Sequence, residues 1–144
     1  MARVVFRNIK PNLTAQMIDV YSKLKKLNEP NRIFNDQMKI SLGELYKSKF
    51  WWPTDKEKKD WYDLWKRTPP EKRLNDSRLI KPWDFLSWID SLQNAEVEFS
   101  NFIINNDGTG ELKFEQLSCP CGGLDAIEYF IKIFDGEIIS NDAA

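Results

Sequence analysis

Apolar residues recur every three or four positions through much of the first 92 residues, the spacing of helices that bury one face. Residues 12–27 and 82–92 follow this spacing, so each stretch predicts a helix. The second helix is expected to turn four apolar residues inward: Phe85, Leu86, Ile89 and Leu92. Ahead of both, residues 3–7 contain three consecutive apolar residues and predict a short strand before Pro11.

Three capping boxes predict further helix starts, because a Ser or Thr accepts a backbone N–H while a Glu three residues later returns the bond. They are Ser41 with Glu44, Thr54 with Glu57, and Thr68 with Glu71. The first box predicts a helix to residue 50 and the second a helix to residue 67. The third predicts a short helix, since its prolines suit a first helical turn.

At Ala95 apolar and polar residues begin to alternate, which predicts a strand with one buried face. The alternation slips at Asn101 and predicts a β-bulge that keeps the apolar side chains on one face. Residues 105–110 predict a turn and residues 112–117 the return strand of a hairpin. Residues 124–134 predict an apolar helix that ends at Gly136, and residues 140–144 a frayed tail.

Together these elements predict a single α+β domain over residues 1–144. Residues 1–92 are expected to form four to five helices, packed with an antiparallel hairpin and one helix from residues 93–139. A chain of 144 residues is long enough to bury one sizeable core. Its 42% hydrophobic and 30% charged residues are typical of a chain that folds alone.

Charge divides the chain into two unequal parts. Residues 1–92 carry 19 Lys and Arg against 12 Asp and Glu, whereas residues 93–144 carry 2 against 10. The net charge of −1 therefore hides a basic helical part of +7 and an acidic part of −8. All six tryptophans lie in the basic part.

The residues that the chain lacks exclude several kinds of chemistry. It has no histidine, which excludes Ser-His-Asp and Cys-His catalysis and histidine-ligated metals. Its apolar runs are too short for a signal peptide or a membrane span, and its two cysteines cannot form a disulfide framework. We therefore expect a cytoplasmic protein outside the membrane, without cofactor or metal, and a binding module rather than an enzyme.

The predicted hairpin carries the first candidate site. If the apolar side chains face the core, four glutamates stand together on the outer face of the hairpin: Glu96, Glu98, Glu111 and Glu115. Such a stripe would attract a protein partner with a basic surface. The alternative is a solvated face that pairs with the lysine-rich helices or guards a sheet edge against aggregation.

The tryptophans carry a second candidate site. Basic and aromatic residues together are typical of proteins that bind single-stranded nucleic acid, so nucleic acid is an alternative partner. Core packing explains most of the tryptophans, since Trp61 and Trp65 share one helix face with Leu64. Two adjacent rings cannot easily both point inward, so Trp51 and Trp52 are candidates for partner binding.

A third candidate is thiol chemistry at Cys119 and Cys121, which lie just before a predicted helix. The positive end of a helix dipole lowers the pKa of a thiol placed there and favours nucleophilic or redox behaviour. The alternative is a tight connection between strand and helix in which both cysteines are small buried residues.

In its general type the chain resembles bacterial immunity and inhibitor proteins. The resemblance rests on small size, many tryptophans, a mixed α+β fold and an acidic sheet face, with no sequence motif behind it. It implies a protein that docks on a toxic enzyme. Non-enzymatic protein binding is therefore the first hypothesis for function, ahead of nucleic-acid binding and thiol chemistry.

Overall fold

A computed structural model describes residues 1–26, 46–94, 97–117 and 124–143. Within these ranges the chain forms four α-helices and four β-strands, so the predicted α+β class is confirmed. In chain order the elements are β1 (Ala2–Arg7), α1 (Thr14–Lys25), α2 (Asp55–Arg67), α3 (Phe85–Asn94), β2 (Val97–Ile104), β3 (Gly110–Gln116), α4 (Leu124–Ile133) and β4 (Glu137–Asn141). The described residues also form three short 3₁₀ helices: Pro11–Leu13, Lys47–Lys49 and Pro70–Lys72.

The four strands form one antiparallel sheet in the order β2-β3-β1-β4. The hairpin of β2 and β3 agrees with the prediction, but it is half of a larger sheet. The short strand predicted at residues 3–7 exists as β1 and occupies an interior position between β3 and β4. The expected frayed tail from residue 140 is wrong at its start, because Ser140 and Asn141 pair with β1.

The predicted slip in the hairpin is confirmed. Glu98 pairs with Glu115 and Phe99 with Phe114, and the register then shifts before Asn101. The side-chain oxygen of Asn101 accepts the backbone N–H of Phe102 at 2.9 Å. Beyond the shift, Phe102 and Ile104 are more buried than Asn101 and Ile103, so the apolar residues return to the core face.

The helices pack on one face of the sheet, and aromatic rings join them to it. The Phe102 ring of β2 lies 4.8 Å from that of Tyr21 in α1 and 5.7 Å from that of Phe130 in α4. Trp88 of α3 is fully buried, and its indole N–H donates to the Ala126 carbonyl of α4 at 2.8 Å. The core thus lies between this sheet face and α1, α3 and α4, whereas α2 has no fully buried residue.

The three capping boxes have different outcomes. At α2 the box forms, because the Thr54 hydroxyl and the Glu57 carboxylate each accept the other residue's backbone N–H at 3.2 Å. The box predicted at Thr68 is wrong, since its hydroxyl instead donates to the Leu64 carbonyl and a 3₁₀ turn follows. The box at Ser41 lies outside the described residues, and the end of its predicted helix is a 3₁₀ turn.

Two details of the later helices differ from expectation. Leu86 is 57% exposed, so its predicted inward orientation in α3 is wrong. At the end of α4 the left-handed residue is Asp135, with φ of 60°, rather than Gly136. Glycine is needed at position 136 for space, because a Cβ there would lie only 2.6 Å from the side chain of Ile131.

One buried polar group leads to a stability prediction. The Tyr21 hydroxyl is buried and has no hydrogen-bond partner among the described residues, and burial raises the pKa of Tyr21. A buried group left without a partner costs about 1–3 kcal/mol. Tyr21→Phe should therefore raise the free energy of unfolding by about 1 kcal/mol, as measured by urea unfolding.

The matched control is Tyr46→Phe. The Tyr46 hydroxyl donates to the side-chain oxygen of Gln16, so its removal should lower the free energy of unfolding by about 1 kcal/mol. If Tyr21→Phe lowers stability as much as Tyr46→Phe does, the Tyr21 hydroxyl has a partner after all.

Candidate functional site

The face of the sheet opposite the core carries the predicted glutamates. Alternate residues of β1, β2 and β3 point to this face, and they are exposed or half-exposed. This solvent-facing set comprises Arg3, Val5, Arg7, Glu98, Asn101, Ile103, Glu111, Lys113 and Glu115. Positive and negative side chains are therefore mixed on this face.

The structure brings together only part of the predicted glutamate stripe. Glu98 and Glu115 are direct cross-strand partners and both are exposed. Glu111 lies toward the other end of β3, with Arg3 at 3.6 Å and Lys113 at 3.3 Å. Glu96 lies outside the described residues. The acidic character is therefore concentrated at the pair Glu98 and Glu115, while Glu111 is neutralised by two cations.

The basic and acidic parts of the chain contact one another. Among the described residues, three ion pairs join the basic part to the acidic part: Arg3 with Glu111, Arg7 with Glu137, and Lys49 with Asp135. The Arg7–Glu137 pair is 2.9 Å long, and hydrogen bonds from Arg7 hold the pKa of the Glu137 carboxyl below its ordinary value. These contacts partly neutralise the basic and acidic parts of the chain, whose charges the sequence predicted to lie on different sides of the molecule.

A cleft of about 410 Å³ lies beside Glu115 at the end of the sheet. Its lining includes Met1, Ala2 and Asp142. Asp142 is exposed, and one of its carboxylate oxygens accepts the backbone N–H of Arg3. The sequence did not indicate Asp142 as a site residue, because it predicted a frayed tail there. In the structure Asp142 directly follows β4, which pairs with β1 and so places Asp142 beside Arg3.

Trp51 and Trp52 are both half-buried. The Trp52 ring stacks on Phe85 at 5.2 Å, and its indole N–H donates to the Lys47 carbonyl at 3.0 Å. The Trp51 ring lies 6.0 Å from that of Trp61. Both rings thus make internal contacts and leave only part of their surface for a partner.

Cys119 and Cys121 lie outside the described residues, so thiol chemistry stays a prediction. Among the residues that the structure describes, no three Cys, Asp or Glu side chains lie close enough together to hold a metal ion. No helix in the same part of the chain is both long and apolar enough to cross a bilayer.

Comparison with known proteins gives no significant match to any family model, curated protein or solved structure.

Proposed function

We propose that this protein is a non-enzymatic interaction module that binds a protein partner with a basic surface. The binding surface is the acidic end of the sheet, defined as Glu98, Glu115 and Asp142 with the adjoining cleft. The observation that carries the proposal is the direct pairing of Glu98 with Glu115 across β2 and β3. Both carboxylates face solvent.

This pairing is unfavourable for the isolated molecule. Like charges directly opposite each other in an antiparallel pair destabilise a sheet, whereas opposite charges stabilise it. Within the described part of the chain, neither Glu98 nor Glu115 forms an ion pair. A lysine or arginine of a partner, placed between the two carboxylates, would relieve their repulsion and add charge-assisted hydrogen bonds.

The cleft supports the same surface. Its lining includes the carboxylates of Glu115 and Asp142, so a cationic side chain entering it would meet negative charge on two sides. Complementary charge of this kind accelerates association and is screened by salt. We propose that this chain acts as a bacterial, cytoplasmic immunity or inhibitor protein, and that its partner is an enzyme with a basic surface.

A single charge reversal separates a binding role from a structural one. Glu98→Lys places Lys opposite Glu115, which should raise the free energy of unfolding by about 0.2–1 kcal/mol. The same change removes one of the three carboxylates that attract the partner, so we expect affinity to fall about tenfold, or by about 1.4 kcal/mol. The partner is captured from cell extract, identified by mass spectrometry and titrated by calorimetry.

The control is Asp60→Lys, which makes the same charge change at an exposed position of α2. It should leave affinity for the partner within about twofold of the original. Equal affinity for the original protein and for Glu98→Lys would refute the acidic end as the binding surface. Equal losses in both variants would refute it too, because the effect would then come from net charge.

A further inference from the structure

A second cleft lies in the helical part of the molecule, between the end of α2 and the turn that follows it. It has a volume of about 320 Å³ and is lined in part by Arg67, Thr68, Lys72, Asp76 and Arg78. Three cations and one carboxylate therefore surround it. Asp76 is bound by Arg78 at 2.7 Å, which leaves Arg67 and Lys72 without an ion pair among the described residues.

The chain around this cleft is basic as a whole. Residues 61–81 carry six cations against three carboxylates. Cations in the last turn of α2 complement the negative end of its dipole, which explains Lys66 and Arg67. Lys72 and Arg78 lie beyond that helix, so the dipole does not explain their place around the cleft.

A column of stacked side chains is joined to the cleft through Thr68, a lining residue whose carbonyl accepts a hydrogen bond from Arg73. Arg73 donates to the carbonyls of Trp65 and Thr68, and its guanidinium lies 3.7 Å from the centre of the Trp65 ring. The Trp65 ring is parallel to that of Tyr62, within 6° and at 6.0 Å. Tyr62 is 49% exposed, and the Lys66 ammonium lies 4.3 Å from the centre of its ring.

From this arrangement we propose that the cleft and the column bind single-stranded nucleic acid. Arg67 and Lys72 contact phosphates in the cleft, and a base stacks on Tyr62 in the place that the Lys66 ammonium holds over the ring. Proteins that bind single strands combine a cationic groove with aromatic rings, because phosphates follow the cations and every base can stack. An acidic protein would use the cations alone and would leave the aromatic column without a role. The site is independent of the acidic end of the sheet.

The test is fluorescence anisotropy with a labelled oligothymidylate across a range of salt concentrations. Each phosphate contact that is lost makes the negative slope of log affinity against log salt shallower by about 0.7. The double variant Arg67→Ala/Lys72→Ala should therefore reduce the magnitude of that slope by about 1.4. Tyr62→Ala should weaken binding about fivefold or more with the slope unchanged, since stacking releases no counterions.

The matched control is Lys25→Ala/Lys26→Ala, which removes two exposed cations near the end of α1. It should leave both affinity and slope close to those of the original protein. Four results would overturn the proposal: no binding at low salt, the same loss in the control, no effect of Tyr62→Ala, or displacement of the oligonucleotide by polyglutamate as effective as that by unlabelled oligothymidylate. Circular dichroism melting of each variant shows that the fold is retained.

Discussion

Replacing Trp88 by alanine should lower the free energy of unfolding by about 3–5 kcal/mol, the range for removing a large aromatic side chain from a core. Trp88 is fully buried in α3, and its ring lies 5.4 Å from that of Phe50 and 6.4 Å from that of Phe85. Its indole N–H also holds α3 to α4 through the Ala126 carbonyl. Since a domain is stable by only about 5–15 kcal/mol, this loss removes at least about a fifth of its free energy of unfolding.

Urea unfolding followed by far-ultraviolet circular dichroism measures this loss without relying on tryptophan fluorescence. Trp88→Phe keeps most of the ring and loses the hydrogen bond, so its cost should be smaller, about 1–2 kcal/mol. Leu74→Ala is the surface control: Leu74 is 88% exposed, and its loss should stay within about 0.5 kcal/mol. A loss below about 1 kcal/mol for Trp88→Ala would contradict the packing of α3 against α4.

Gly110→Ala adds a single methyl group and should lower the free energy of unfolding nearly as much as Trp88→Ala does. A Cβ at this position would lie 2.3 Å from the Ile103 carbonyl oxygen and 2.5 Å from an atom of the Phe6 ring. The carbonyl belongs to the paired strand β2 and cannot rotate away as a side chain could. Overpacking typically costs about 1–3 kcal/mol, and a contact with backbone places this variant at about 3 kcal/mol or more.

The control for this variant lies in the same hairpin. Asn106→Ala changes an exposed residue of the turn and should alter the free energy of unfolding by no more than about 0.5 kcal/mol. The same urea titration serves for both proteins. If Gly110→Ala is as stable as Asn106→Ala, the close approach of β1, β2 and β3 around Gly110 is wrong.

Local patterns were sufficient for the elements whose signals lie within their own sequence. The capping box at Thr54 needs only hydrogen bonds between residues three positions apart, and the amphipathic pattern of α1 lies within one stretch of chain. Alternation in β2 and β3 fixed both the strands and the register shift at Asn101, because one of their faces is buried. Strand β4 has no such alternation, because its two isoleucines are adjacent: Ile138 is half-buried and Ile139 is exposed.

The same distinction applies to the candidate site. Alternation within the hairpin was enough to place Glu98 and Glu115 on one face, and the structure makes them direct partners. The neutralisation of Glu111 could not be predicted, because it depends on Arg3, which is distant in sequence and reaches β3 only through the pairing of β1. Asp142 was missed for the same reason, since its place beside Arg3 depends on β4.

The interior position of β1 governs the order in which the chain can assemble. Residues 2–6 pair with residues 110–114, and residues 4–7 pair with residues 137–141, so both neighbours of the first strand are made more than 100 residues later. More than 100 further residues must therefore be synthesised before β1 finds a strand partner. Pairing so distant in sequence is typical of slow-folding domains.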